Sequence, residues 1–147
     1  MDEYLPPLTD ILFVLREVVG LDDVLSAPAF EGIDAESVEM VLTEVGRFMA
    51  EVVAPTNGAG GGRPTVRNPD GTVTTAPGFK AAYDQYVASG FGAVPFDPRW
   101  GGGGFPWLSA IVIQELMTSA NMAFALCPLL TQGAIDALEH HGSEEQK

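Results

Sequence analysis

The sequence predicts an all-α fold, a helical bundle of about five to six helices with one long Gly/Pro-rich loop. Apolar residues recur at helical spacing in several stretches, and no run alternates apolar and polar side chains as a half-buried strand would. Gly, Pro, Asn and Thr crowd between residues 56 and 76, where a long connection is expected. With 147 residues, 46% apolar and 18% charged, the chain has the size and composition of one domain with its own core.

The first helix is expected over about Asp10 to Val19. Thr9 is the candidate N-cap, Leu8, Ile11, Leu12, Leu15, Val18 and Val19 recur at helical spacing, and Gly20 stands where a helix C-terminus favours glycine. Asp34 caps a second helix whose Val38, Val41, Leu42, Val45, Met49, Val52 and Val53 form one apolar stripe. Ala54-Pro55 is expected to end it, since proline disfavours helical backbone before it.

Thr56 to Ala76 reads as the loop, holding one small hairpin about the turn signal Asn68-Pro69-Asp70-Gly71 between Val66 and Val73. Gly58 to Gly62 is costly to order. Pro77 suits the first position of a third helix closed by Gly90. From Gly90 to Pro106, large aromatics alternate with Gly and Pro, which describes a packed loop. Pro106 opens a fourth helix through Leu108, Ile111, Val112, Leu116 and Met117. A fifth apolar segment runs from Asn121 to about His140, with Pro128 expected to kink or interrupt it near Cys127.

Seven basic against twenty acidic residues leave a net charge of -13, which argues against nucleic-acid binding and acts chiefly for solubility. The one cysteine, Cys127, forms no internal disulfide and no cysteine-based zinc site, which suggests a reducing compartment. Met1-Asp2-Glu3 lacks the basic start of a secretory signal, and no apolar run approaches the ~18 residues of a membrane span. The expected location is cytoplasmic.

Four features are candidates for chemistry. Gly101 to Gly104 lacks the flanking strand, the Lys-Ser or Lys-Thr and the spacing of a nucleotide loop, so a structural turn that lets Trp100 and Phe105 pack is the simpler reading. Adjacent His140 and His141 diverge on a helix and suit its negative end better than a shared metal, so no metal site is assigned. Glu115, in an otherwise apolar helix, has no partners that complete a catalytic set. Ala120 to Leu130 is apolar on nearly every face and must be covered by this domain, a neighbour or a ligand. Ala125, Leu126, Leu129 and Gly133 share one side of it, where small residues beside leucines leave room for an aliphatic chain. Ordinary core packing explains the same residues.

Ser143-Glu144-Glu145-Gln146-Lys147 writes a Ser-x-x-Gln capping box with acids in the first turn, yet no helix body follows. Four residues are too few to repay helix nucleation, so the chain is expected to be the front piece of something longer.

Several stretches together resemble the N-terminal helical domain of the acyl-CoA dehydrogenases. They are Ala54-Pro55, the loop Gly90 to Pro106 with its Gly-Gly-x-Gly-x-Pro ending, and Gly142-Ser143-Glu144-Glu145-Gln146-Lys147. Pro7 to Leu15 is similar to a short N-terminal extension of one bacterial branch. The resemblance implies an extension with one helix over 1–33, and the helical domain over 34–147, followed in the family by a β-barrel and a second helical bundle. It further implies FAD-dependent α,β-dehydrogenation of a fatty acyl-CoA, in which a glutamate takes the α-proton while the β-hydride goes to the flavin.

That glutamate and most flavin contacts belong to the later domains, so no catalytic residue and no FAD contact is assigned here. The fragment alone is expected to be inactive. Ala125, Leu126, Leu129 and Gly133 correspond to a wall of the acyl pocket. Implied partners are the acyl-CoA, the chain's own missing C-terminal domains, an electron-transfer acceptor and further copies in a homo-oligomer. The chain departs from the family in its Gly58 to Gly62 run after the Ala-Pro and in having four successive glycines in the aromatic loop. The competing reading is a self-contained interaction module whose apolar segment Asn121 to Ile135 docks a partner helix.

Overall fold

The computed structural model describes residues 4–62 and 64–147, with the backbone alone at 59–62. Met1-Asp2-Glu3, on which the reading of no secretory signal rests, lies outside the described residues, as does Arg63 of the expected loop. Among the described residues the fold is all-α apart from one small hairpin.

Helix α1 (Leu8–Phe13) continues as a wider π-helical turn, Val14–Val19, which ends at Gly20 with φ 74°. Thr9 is not its cap. The Pro7 carbonyl already accepts from the Ile11 N–H at 3.0 Å, so the helical ladder begins before Thr9 and Thr9 lies inside it. A second short helix, α2 (Leu21–Leu25), follows in the segment expected to hold one, and it buries Leu21 completely.

Helix α3 (Ala35–Phe48) starts as expected: the Asp34 carboxylate accepts from the Ser37 N–H at 2.8 Å. Its stripe of Val38, Leu42, Val45, Met49 and Val53 is wholly buried and forms the centre of the core. The expected stop at Ala54-Pro55 does not occur. The chain passes through a π-helical turn, Met49–Val53, and goes on as α4 (Ala54–Gly62), so the glycine run is helix rather than loop. A proline ring collides with the carbonyl four residues earlier in a regular α-helix, and the wider turn just ahead of Pro55 relieves that collision.

The predicted hairpin is present. Strands β1 (Val66–Arg67) and β2 (Val73–Thr74) pair antiparallel, Val66 opposite Thr74 and Arg67 opposite Val73, around the Asn68 to Gly71 turn. Helix α5 (Phe79–Ser89) begins at Gly78, which has φ 84°, so Pro77 precedes the helix instead of opening it. Gly90, with φ 74°, closes it as expected.

Helix α6 (Trp107–His141) is the longest element and packs against α3, its π-turn and α4. Its only non-helical backbone lies at Asn121, with φ -160° and ψ 100°, so the two expected helices are present and meet end to end in a kink at that residue. Pro128 does not interrupt it. By length and composition α6 could cross a membrane, but half of its most apolar window is buried inside this domain, as befits a core helix. The N-terminal segment is fastened to the same rod, since the Tyr4 hydroxyl donates to the Leu116 carbonyl and shares a 2.6 Å hydrogen bond with Ser119.

Candidate functional site

The break in α6 is built from polar groups buried deep in an apolar core. Asn121 is 2% exposed, and its Oδ1 accepts from the Phe124 N–H at 3.2 Å, making it the N-cap of the second half of the rod. Its Nδ2 donates to Thr56 Oγ1 at 2.9 Å, and the Thr56 hydroxyl donates onward to the Val53 carbonyl at 2.6 Å. Val53 closes the π-turn and Thr56 lies in the first turn of α4. One hydrogen-bonded chain therefore joins the π-turn Met49–Val53 to the break in α6, with each polar side chain satisfied.

Beyond Asn121 the rod has two unlike sides. Phe124, Ala125, Pro128 and Gln132 turn inward, where Phe124 meets Phe79 and Tyr86 edge to face at 6.0 and 6.5 Å. Met122, Leu126, Leu129, Leu130 and Gly133 face outward. The four residues picked from sequence are thus divided: Ala125 is 2% exposed and belongs to the core, whereas Leu126 and Leu129 are 57% and 44% exposed. Nothing lies within 4 Å of a Cβ placed on Gly133. The result is an open apolar strip, three helical turns long and free of charge until Asp136.

The amides of Gly101, Gly102, Gly103, Gly104 and Phe105 donate to the carbonyls of Pro98, Asp97, Ala93, Phe96 and Val94, at 2.9 to 3.1 Å. Those N–H groups knit the loop to itself, so they form no free cradle for the phosphates of FAD or CoA; the expected packing is met by Phe105, which lies against the core, and not by Trp100, which is 45% exposed. Phe96 and Trp107 pack edge to face beside it at 5.6 Å. Glu115 is exposed, and Arg99 pairs instead with Asp97 at 2.7 Å. His140 Nδ1 lies 3.0 Å from the Asp136 carbonyl in the last turns of α6. Among the described residues no three His, Cys, Asp or Glu side chains gather as metal ligands would.

Two further features escaped the sequence reading. Cys127 is exposed at the rim of a hollow of about 240 Å³ beside Phe79, Tyr83 and Phe124. The Tyr86 hydroxyl is buried without a hydrogen-bond partner among the described residues, and burial pushes its pKa up to about 12.

Comparison with known proteins identifies the family of the chain. The chain is 36% identical over 144 residues to the 3-methylmercaptopropionyl-CoA dehydrogenase of Ruegeria pomeroyi, covering 98% of this chain and 24% of that protein. It is 29% identical over 148 residues to the broad-specificity linear acyl-CoA dehydrogenase FadE5 of Mycobacterium tuberculosis, across 100% of this chain and 24% of the relative. A butyryl-CoA dehydrogenase of Syntrophomonas wolfei is 28% identical over 151 residues, covering 99% of this chain and 24% of that protein. The chain thus spans about a quarter of the length of the curated relatives it matches. The family description "Acyl-CoA dehydrogenase, N-terminal domain" matches residues 35–147, and the chain belongs to that family.

Proposed function

We propose that this chain is the N-terminal part of an FAD-dependent acyl-CoA dehydrogenase and that the outer side of α6 beyond Asn121 forms one wall of its acyl cleft. The observation that carries the proposal is the uncharged strip of Met122, Leu126, Leu129, Leu130 and Gly133, open to solvent in a domain of this family. Such a strip suits an aliphatic chain, and it stands just ahead of Gly142-Ser143-Glu144-Glu145-Gln146-Lys147. The Gln146 side chain there already accepts from the Ser143 N–H at 2.9 Å, half of the predicted capping box.

In this reading the catalytic base and the groups that hold FAD lie in later domains, and this chain supplies shape rather than proton transfer. The substrate class is a fatty acyl-CoA, in keeping with three relatives that are each named for a CoA thioester. The wider proposal includes an electron-transfer acceptor, a homo-oligomer and a cytoplasmic location, the last in keeping with a lone, exposed thiol. A self-contained interaction module would need the same apolar strip, but the family match favours the enzyme.

The test is flavin reduction on adding acyl-CoA to the full-length protein carrying this chain, set beside the isolated chain with added FAD. Bleaching of the flavin by the full-length protein alone is the expected result. Turnover by the isolated chain would refute the division of labour.

A further inference from the structure

We propose that Asn121 and Thr56 are positioning residues that aim the second half of α6 and thereby set which acyl-chain lengths the cleft accepts. The inference rests on the wall assignment above and deepens it. Both side chains are buried and bonded to each other at the one point where α6 leaves helical geometry. Because the helical ladder is broken there, the direction of the rod beyond it is fixed by side chains instead of by its own backbone hydrogen bonds. Asn121 starts the new helix through the Phe124 N–H and is tied through Thr56 to the carbonyl of Val53.

The lever arm makes the effect unequal along the wall. At about 1.5 Å of rise per residue, Leu126 lies about 8 Å and Gly133 about 18 Å beyond the break, so a tilt of ~10° moves them by about 1 and 3 Å. A change at the tie therefore reshapes the distal wall while leaving the proximal wall nearly in place. Acyl chains of different length then respond differently, which loss of folded protein cannot mimic because it lowers all substrates alike.

The experiment compares Thr56→Val, Thr56→Ser and Asn121→Asp with the wild type in the full-length protein, using saturated acyl-CoAs from four to sixteen carbons (about the span of common fatty acyl chains). Valine is close to threonine in shape and lacks the hydroxyl, serine keeps the hydroxyl, and aspartate keeps the cap but not the donor. The expected result is a change of about fivefold or more in the long-to-short ratio of kcat/KM for Thr56→Val and Asn121→Asp, carried in KM, with Thr56→Ser close to wild type. An unchanged ratio, or an equal loss on every substrate, overturns the proposal. A serine variant as altered as valine overturns it too. Should Asn121→Asp fail to fold, the Thr56 pair decides alone. A wild-type protein that oxidises no acyl-CoA sinks the enzyme reading itself and this inference with it, an outcome told apart because no variant is needed to see it.

Discussion

Gly102 sits so close to Phe96 that a Cβ built on it would lie 2.0 Å from the Phe96 carbonyl oxygen. The contact is backbone against backbone, so no side chain can swing aside. Gly102→Ala must therefore pull the aromatic loop apart, and we expect a loss of about 3 kcal/mol. Urea unfolding followed by circular dichroism checks it; a loss under 1 kcal/mol, roughly the ordinary spread for surface changes, would show that the loop yields cheaply.

Gly133 has the opposite surroundings, a helical site with open space around it. Gly133→Ala should stabilise the isolated chain by about 0.5–1 kcal/mol through helix propensity alone. Gly133→Phe in the full-length protein should raise KM for long acyl-CoAs more than for short ones. Identical KM changes at both lengths would remove Gly133 from the wall.

Tyr86 makes a pH-dependent contribution. Its phenol has an ordinary pKa of 10.0 that burial raises to about 12, so the neutral form is favoured in the folded state. That stability is complete below pH 10 and is lost as the pH climbs from 10 through about 12. Tyr86→Phe removes an unpartnered buried hydroxyl and is expected to gain about 1 kcal/mol at neutral pH. It should also flatten the alkaline limb of the stability curve relative to wild type. Parallel curves for the two proteins between pH 9 and 12, the range bracketing ordinary and shifted tyrosine values, would contradict this.

Asp34 acts at the other end of the scale. Hydrogen bonds from the Ser37 hydroxyl and then its backbone N–H hold the carboxyl below its usual 3.8. The cap is therefore intact above the ordinary carboxylate range and is lost as the pH falls through the lowered folded value. Asp34→Asn keeps an acceptor that does not titrate, so the difference in stability between the two proteins should shrink or invert on acidification. A difference independent of pH would rule the carboxylate out as the cause.

The bare leucines of α6 make the isolated chain prone to self-association. Sedimentation should show concentration-dependent oligomers that Leu126→Glu and Leu130→Glu suppress. Wild-type chain that stays monomeric at high concentration would count against the exposed strip as a sticky surface.

How much of this was legible in the sequence depends on range. The Asp34 cap and the stripe from Val38 to Val53 were readable because both obey local rules, a short polar acceptor ahead of a helix and a repeat every three or four residues. The passage of the helix through Pro55 was hidden, since a π-turn leaves the apolar pattern almost unchanged while altering where the proline ring falls. Asn121 was visible as the start of a segment. Its tie to Thr56 was not, because 65 residues separate them and only the packed fold brings them together. The split of Ala125 from Leu126 and Leu129 was equally out of reach: a stretch apolar on every face has no period from which to choose the inner side.

Leu8 and Gly46 join the part of the chain outside the family match to the part within it. A Cβ on Gly46, in the last turn of α3, would meet the Leu8 Cδ1 at 2.9 Å, and Ile11, Leu15 and Leu21 close the same core from upstream. Trimming the polypeptide to residues 35–147 would strip those side chains from Leu42 and its neighbours. The leading segment and α3 must therefore be inherited, swapped or redesigned as a pair, with any bulkier residue at 46 answered by a smaller one at 8.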